Sequence, residues 1–319
     1  MASNPEQTNT GYRGRLAPSP TGYLHVGHAR TFWTASQRAR EADGTLVMRM
    51  EDLDEERSKE IYAEAALEDL RWLGIRWQEG PDKGGPFAPY IQSKRRDTYL
   101  LAWRLLLQRG FLFPCRCSRK DLESALAAPH ESNAHPRAGS RSGGKREPLD
   151  DEPIYPGTCR HRQWRAPQLP GPTVSDFETP DDINWRFHVR DGEAVEFVDQ
   201  NLGPQRFVAG EDFGDFVVWR KDGGPSYQLA CAADDISMEI TEVVRGADLL
   251  KSTARQILIY RALGFDPPAW YHCRLVVDHN GRRLAKRHDS LSLRSMRQRG
   301  LTPMNILGAE LPVESESSF

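Results

Sequence analysis

The chain has 319 residues, of which 38% are hydrophobic and 28% are charged, and its net charge is −2. This length suits one large domain or two modest ones, and the balance is ordinary for a water-soluble globular protein. The near-neutral charge excludes a global basic field that would by itself indicate a nucleic-acid partner. No apolar run approaches the roughly 20 residues of a membrane helix, and the polar N-terminus lacks a signal core. Five cysteines are too few and too irregularly placed for a disulfide framework, so we expect a cytoplasmic protein without a membrane partner.

The first third of the chain predicts a parallel α/β unit. Residues 13–19 are typical of a short strand that runs into a Pro-rich turn. Hydrophobic periodicity predicts three helices over 25–42, 58–73 and 93–109, and a strand over 45–50. Gly110 follows the third helix at a position typical of a helix C-terminus. Strand, helix and strand in this order indicate parallel pairing.

The middle of the chain differs in composition. Residues 128–152 are rich in Pro, Gly, Ser and charge, and predict a mobile insertion without a core. After residue 183 four strand-like segments alternate with turns: WRFHV, AVEFVD, QRFVAG and DFVVWR. Then follow a predicted helix at about 226–234, a strand that ends in ITEVVRG, a helix over 248–263 capped near Asp248, and a strand over 271–277.

Two histidines begin the first predicted helix, directly after a Pro-rich turn. A helix N-terminus offers unpaired N–H groups and positive dipole, so it suits a phosphate. His25 and His28 are three residues apart and share one face of the first turn. Both could donate hydrogen bonds to phosphate oxygens, and Gly27 would let a base or ribose approach the backbone. Taken alone, this pattern is also compatible with two exposed histidines.

The longer segment RLAPSPTGYLHVGH, from Arg15 to His28, closely resembles the first signature of class I aminoacyl-tRNA synthetases, specifically the glutamyl/glutaminyl branch. A second signature is matched by GRRLAKR, where that branch typically reads LSKR; here Ala285 replaces the serine. The resemblance implies a Rossmann-type class I catalytic domain with an inserted zinc-bearing subdomain, which uses ATP and Mg²⁺. It implies that ATP is bound by His25, Gly27, His28 and Lys286, and that His25, His28 and Lys286 are catalytic.

The same resemblance implies a glutamate pocket. Its members are Arg15, Ala17, Ser19, Glu51, Tyr227 and Arg245. Glu51 would face the ammonium of the substrate, and an arginine fork would pair with a carboxylate in a two-point geometry that a neutral amide cannot match. Considered singly, Glu51 could be a solvated residue at a helix start and Arg245 part of a strand-end salt bridge.

Three cysteines and a tyrosine form a possible metal site. The segments are CRC at 115–117 and YPGTC at 155–159. Three buried free thiols are the simpler interpretation, but glutamylating relatives carry a similar CxC…YxxxC pattern. That resemblance implies one structural zinc ion on Cys115, Cys117, Tyr155 and Cys159, with His161 as an alternative fourth ligand. The long insertion between the halves is compatible with the site because loop-closure cost grows only slowly with length. Cys231 and Cys273 lie in apolar segments and are expected in the core.

The resemblance extends from residue 13 to about residue 310. It implies a catalytic domain in two halves over 13–110 and 226–310, an inserted subdomain over 111–225, and flexible tails over 1–12 and 311–319. Because the sequence ends soon after Lys286, we expect a stand-alone catalytic half, as in the glutamyl-Q tRNA(Asp) synthetase family. That family transfers glutamate to queuosine, a modified base in the anticodon of aspartate tRNA.

The expected partners are therefore L-glutamate, ATP and tRNA(Asp) that carries queuosine, bound by a monomer. One alternative is a truncated glutamyl-tRNA synthetase that charges a tRNA 3′ end. Another is a catalytically silent RNA-binding paralogue. The arginine-rich stretch from Arg282 to Arg299 is compatible with a solvated face and with contacts to RNA phosphates.

Overall fold

The computed structural model describes residues 11–118, 121–122, 153–160, 179–276 and 292–308. The strands are β1 (Arg13–Leu16), β2 (Thr45–Met48), β3 (Leu112–Cys115), β4 (Asn184–Phe187), β5 (Ala194–Asp199), β6 (Gly203–Val208), β7 (Phe216–Trp219), β8 (Glu242–Gly246) and β9 (Ala269–Cys273). The helices are α1 (Val26–Glu41), α2 (Glu60–Trp72), α3 (Arg96–Gln108), α4 (Tyr227–Ser237), α5 (Leu250–Leu263), α6 (Leu293–Gln298) and α7 (Pro303–Leu307). The predicted insertion at 128–152, His161, Ala285 and Lys286 lie outside the described residues.

Parallel strands form the layer that carries the site. β1 pairs in parallel with β2, and β8 pairs in parallel with β9. The backbone N–H of Thr241, just before β8, donates to the carbonyl of Arg13 in β1 at 2.9 Å, so the two pairs lie side by side. The carboxyl ends of β1, β2 and β8 consequently meet at one edge, where ligands bind in open α/β sheets.

The β5–β6 hairpin extends this layer. β5 pairs antiparallel with β6 and joins β9 in parallel at Asp199 and Trp270. The predicted inserted subdomain over 111–225 contains both hairpin strands, yet they belong to the sheet of β8 and β9. Within that range, β3 and β4 form a separate antiparallel sheet with β7. The range 111–225 therefore contains strands of two sheets, because β9 acquires its second neighbour from the hairpin.

Two large apolar clusters surround these sheets, and a third, small one lies around Phe113. One packs around α1 and includes residues from both ends of the described chain, such as Leu16, Phe32, Leu293 and Ile306. The other, larger cluster is centred on Trp103, Trp185 and Trp219. No helix within the described ranges has the length and apolarity to cross a membrane.

Helix ends follow local chemistry. The predicted end of α3 is confirmed, since Gly110 has a φ of +75°. The predicted cap at Asp248 is wrong: a short 3₁₀ turn over Ala247–Leu249 leads into α5, and Leu249 occupies the cap position without a side-chain hydrogen bond. Ser226, by contrast, caps α4 by accepting from the backbone N–H of Leu229.

Candidate active site

The first turn of α1 presents two stacked imidazoles. His25 is the N-cap, and its Nδ1 accepts from the backbone N–H of Gly27 at 3.1 Å. Nδ1 of His28 accepts from the backbone N–H of His25 at 3.3 Å, and the two ring centroids are 3.8 Å apart. Because both Nδ1 atoms accept, each neutral ring carries its proton on Nε2. The turn therefore holds two Nε2–H donors beside a helix N-terminus, an arrangement suited to phosphate oxygens.

Gly27 makes room for the first of these rings. A Cβ atom at this position would lie 2.9 Å from Cε1 and 3.1 Å from Nδ1 of His25. Any side chain here would push the imidazole away from its capping position. The position of the His25 ring is therefore one reason for glycine here. The expected approach of a ligand to the backbone is a second, separate reason.

The C-terminal part of the chain returns to the same turn. The backbone N–H of Leu293 donates to the carbonyl of Leu24 at 2.7 Å, and Ser292 forms an isolated β-bridge with His25. Residues 277–291, which contain Lys286, connect the segment after β9 to this bridge. The described chain therefore approaches His25 immediately after the predicted lysine-containing segment.

At the carboxyl ends of β1 and β2 lies a buried charge cluster. The side chain of Arg15 donates through Nη1 to the carbonyl of Val244 at 2.8 Å, and its Nε is 3.7 Å from Asp235. Arg49, which is fully buried, donates to Asp235 at 2.6 Å and to Oε1 of Glu51 at 2.9 Å. Oε2 of Glu51 accepts no hydrogen bond from the described residues.

Sequence reasoning missed the acidic partners of this cluster. Asp234 and Asp235 are buried at the end of α4 and face three arginines: Arg15, Arg49 and Arg95. The signal was present, since two consecutive aspartates inside an otherwise apolar helix must find cationic partners when buried. Arg49 pairs with these aspartates and with Glu51, so this network of ion pairs fixes the position of Glu51.

Two residues of α4 face the same space. Tyr227 is the first residue of this helix, and Cys231 lies one turn later. Burial raises the pKa of the Tyr227 hydroxyl, which also responds to the charges of Arg245, Glu51 and Arg15. Cys231, expected only to fill the core, is buried but has its Sγ 3.5 Å from Oε1 of Glu51. The thiol therefore belongs to the wall of the site.

Arg245 is a buried cation at the end of β8. It donates through Nε to Nε2 of His272 at 3.2 Å. Its terminal nitrogens Nη1 and Nη2 donate to Gln256 at 2.9 Å and to Thr253 at 2.6 Å. None of its hydrogen-bond acceptors in the described chain is a carboxylate, so its charge is not neutralised by direct contact. A guanidinium has five N–H donors, and one N–H on each terminal nitrogen has no acceptor among the described residues.

Ala17 and Ser19 lie in the turn between β1 and α1. Ala17 is half-buried and Ser19 is exposed. The carbonyl of Pro18 between them accepts from the backbone N–H of Glu51 at 3.0 Å. The turn is thereby attached to the segment after β2, next to the buried charge cluster.

A separate cluster of sulfur atoms lies at the end of β3. The Sγ atoms of Cys115, Cys117 and Cys159 are all within 4.8 Å of one another. The hydroxyl oxygen of Tyr155 is 3.5 Å from the first and 3.8 Å from the second. Three thiols and a phenol that converge on one point form a donor set that a tetrahedral metal ion accepts. The three cysteines can therefore hold a metal ion.

Arg186 supports this cluster and was not predicted. Its Nε donates to Sγ of Cys115 at 3.4 Å, and its guanidinium carbon lies 4.2 Å from the ring centre of Tyr155. A buried cation beside the cluster offsets the negative charge that thiolate ligands would bring.

Comparison with known proteins identifies the family. The chain matches the catalytic domain of class I tRNA synthetases (E and Q) over residues 12–149 and 175–309. The chain belongs to this family. The expected class I catalytic fold is confirmed, and the chemistry is that of an ATP-dependent ligase.

Individual members of the family show which branch is similar. The chain is 45% identical to a glutamyl-Q tRNA(Asp) synthetase of Symbiobacterium thermophilum over 92% of this chain and 84% of that protein. It is 42% identical to one of Nitratidesulfovibrio vulgaris over 93% of this chain and 84% of that protein. A glutamate tRNA ligase from Elizabethkingia meningosepticum, solved with its amino acid, superposes with a TM-score of 0.69 at 28% identity. The match covers 91% of this chain, which spans about half, 53%, of that ligase.

Proposed function

We propose that this synthetase domain activates L-glutamate with ATP to form glutamyl-adenylate and pyrophosphate. One observation carries the proposal: Arg245 is a buried cation without a carboxylate partner among the described residues, and Oε2 of Glu51, a residue that shares Tyr227 as an electrostatic neighbour with Arg245, accepts no hydrogen bond from them. These two groups match the ends of glutamate, because the guanidinium pairs with the side-chain carboxylate and Glu51 faces the ammonium. The reacting carboxylate then lies toward the Nε2–H donors of His25 and His28.

The phosphate side of the reaction belongs to the start of α1. His25 and His28 donate to phosphate oxygens where negative charge grows as pyrophosphate departs, and Lys286 adds its point charge from the segment that returns to His25. Arg15, Ala17 and Ser19 border the glutamate between these groups, with Tyr227 on the opposite wall. ATP enters with Mg²⁺, which neutralises its phosphates.

The proposed acceptor of the glutamyl group is queuosine in the anticodon of tRNA(Asp). The support is similarity at 45% and 42% identity to two proteins with that name, each covered over 84% of its length. A hydroxyl of the modified base attacks the adenylate carbonyl, and AMP leaves. A second candidate acceptor is a tRNA 3′ end, favoured by the similarity to a glutamate tRNA ligase.

We also propose a structural zinc ion on the sulfur cluster. Cys115, Cys117 and Cys159 supply thiolates, and the phenol oxygen of Tyr155 is the fourth ligand. Its hydroxyl oxygen accepts from the backbone N–H of Cys159 at 2.7 Å, which holds it beside the three thiols.

Exchange of labelled pyrophosphate into ATP tests the activation step. We expect exchange with glutamate in the absence of tRNA, and much weaker exchange with glutamine, which would leave the buried Arg245 charge unpaired. Equal exchange with both amino acids would contradict the pocket assignment.

The acceptor is tested separately. Labelled glutamate is offered with tRNA(Asp) that contains or lacks queuosine, and with queuosine-containing tRNA whose 3′ ribose has been oxidised. Queuosine-dependent labelling that survives oxidation supports the first acceptor. Labelling that is independent of queuosine and abolished by oxidation supports the 3′ end.

A further inference from the structure

A buried hydrogen-bonded chain lies behind Arg245. His272 in β9 and Asp199 at the end of β5 are both almost completely buried, at 0% and 1% exposure. Nδ1 of the imidazole is 2.6 Å from Oδ2 of the carboxylate. The opposite nitrogen, Nε2, accepts from Nε of Arg245 at 3.2 Å and also lies 3.0 Å from the hydroxyl oxygen of Thr253, which can donate to it. Carboxylate, imidazole and guanidinium are thus connected in one line.

The guanidinium determines the tautomer of His272. Nε of arginine always carries a proton and cannot accept, so Nε2 of the imidazole must present its lone pair. The single proton of the neutral ring is then on Nδ1, where it is donated to Asp199. Burial and the nearby charge of Arg245 lower the pKa of His272 to about 4, although Asp199 opposes them. The ring is therefore neutral at physiological pH.

Asp199 is itself held by several backbone groups. Its Oδ1 accepts from the N–H groups of Asn201 at 3.0 Å and Leu202 at 2.8 Å, and its Oδ2 accepts from the N–H of His272 at 3.0 Å. Hydrogen bonds from His272 and these backbone donors outweigh burial and lower the pKa of the Asp199 carboxyl. The carboxylate provides a negative charge for Arg245 through the intervening His272 ring, and it accepts no hydrogen bond from the guanidinium itself.

We propose that Asp199 and His272 are positioning residues for recognition of the glutamate side chain. They act through Arg245: the imidazole binds its Nε, and the two terminal nitrogens thereby face the ligand carboxylate. This inference rests on the proposed glutamate activation and extends it to residues that touch no substrate. A direct Asp–Arg pair would neutralise the same charge but would occupy the fork that the substrate needs.

Paired substitutions at His272 test the chain. His272→Gln keeps an acceptor near the Nε2 position, whereas His272→Asn keeps a donor to Asp199 and removes that acceptor. We expect His272→Asn to raise the KM for glutamate roughly 10- to 100-fold, because a buried Arg245 donor loses its acceptor. His272→Gln should remain within about 5-fold of wild type, a difference that loss of packing alone would not produce. The KM for ATP and the turnover number should change little in either variant.

A matched control uses another His–Asp pair. Nδ1 of His188, which follows β4, is 3.4 Å from Oδ1 of Asp215, which precedes β7; these two strands belong to a different sheet from β8, which carries Arg245. His188→Asn should leave the KM for glutamate unchanged. Nitrogen-15 spectra of the wild-type protein report the tautomer directly, and we expect His272 to be protonated on Nδ1 only.

The outcomes separate the two proposals. Wild-type protein that supports no glutamate-dependent pyrophosphate exchange overturns the proposed function, and this inference with it. Wild-type exchange combined with an unchanged KM for glutamate in His272→Asn overturns the inference alone. If His272→Asn does not fold, the wild-type spectra decide: a proton on Nε2 of His272 contradicts the inference, and a proton on Nδ1 supports it.

Discussion

Asp69 offers a test of how buried charge affects the stability of this domain. It lies on α2 with an exposure of 0%, and neither carboxylate oxygen has a hydrogen-bond partner among the residues that the structure describes. Its nearest cation is Arg297 on α6, 3.6 Å away. Burial is the main cause that raises the pKa of Asp69 from 3.8 to about 6, and the positive charge of Arg297 only partly offsets it. The ionised carboxylate is therefore a net cost to the folded state.

The sign and size of this cost follow from proton linkage. The folded state binds the Asp69 proton more tightly than the unfolded state, so stability rises as pH falls from about 6 toward 3.8. Above pH 6 the full penalty is present, at most about 3 kcal/mol. Asp69→Asn removes the ionisation, so we expect the variant to be about 2–3 kcal/mol more stable than wild type at pH 7.5. The difference should disappear near pH 4.

Urea denaturation at the two pH values measures the effect. The control is Glu68→Gln, because Glu68 neighbours Asp69 and pairs with the same Arg297 at 3.0 Å but is 55% exposed. We expect the control to change stability by less than about 1 kcal/mol at either pH. An Asp69→Asn protein that is less stable than wild type at pH 7.5 would refute the reasoning, since it would mean that the carboxylate is favourably bound.

Three further predictions concern the site. Gly27→Ala should displace the His25 ring and lower the rate of pyrophosphate exchange on the order of 10²-fold with little change in the KM for glutamate; an unchanged rate would contradict the packing requirement. His28→Ala should likewise reduce turnover by about 10²–10³-fold rather than weaken glutamate binding, as single-turnover kinetics can show. Elemental analysis of the wild type should find roughly one zinc ion per chain, and Cys117→Ser should abolish this zinc and lower the melting temperature; metal-free native protein would rule the zinc site out.

Much of the fold was predictable because local signals agreed with one another. The predicted ends of the helices over 25–42 and 93–109 lie within three residues of the observed ends of α1 and α3. For α3, the hydrophobic spacing and the position of Gly110 indicated the same C-terminal end. The Asp248 cap was wrong because a 3₁₀ turn displaced the helix start by two residues. The membership of β5 and β6 in the larger sheet depends on a pairing between residues 199 and 270, and no local pattern encodes so distant a contact.

The site was predictable to a different degree. Residues in continuous motifs, such as His25 and His28, could be identified with their secondary structure. Asp199 and His272 could not, because each is an ordinary strand residue until the fold brings it behind Arg245. Arg186 was missed for the same reason, since its contact with Cys115 spans two strands of an antiparallel sheet. Sequence motifs therefore indicated the candidate ligand-binding groups, whereas the residues that support them emerged only from tertiary structure.

The cluster around α1 has a consequence for synthesis on the ribosome. Leu16 and Phe32 pack in one cluster with Leu293 and Ile306, which are translated more than 250 residues later. At 5–20 residues per second, roughly 15–50 seconds separate the appearance of α1 from that of its last packing partner. During this interval the apolar face of α1 is incompletely covered, and a nascent-chain chaperone would find its binding surface there.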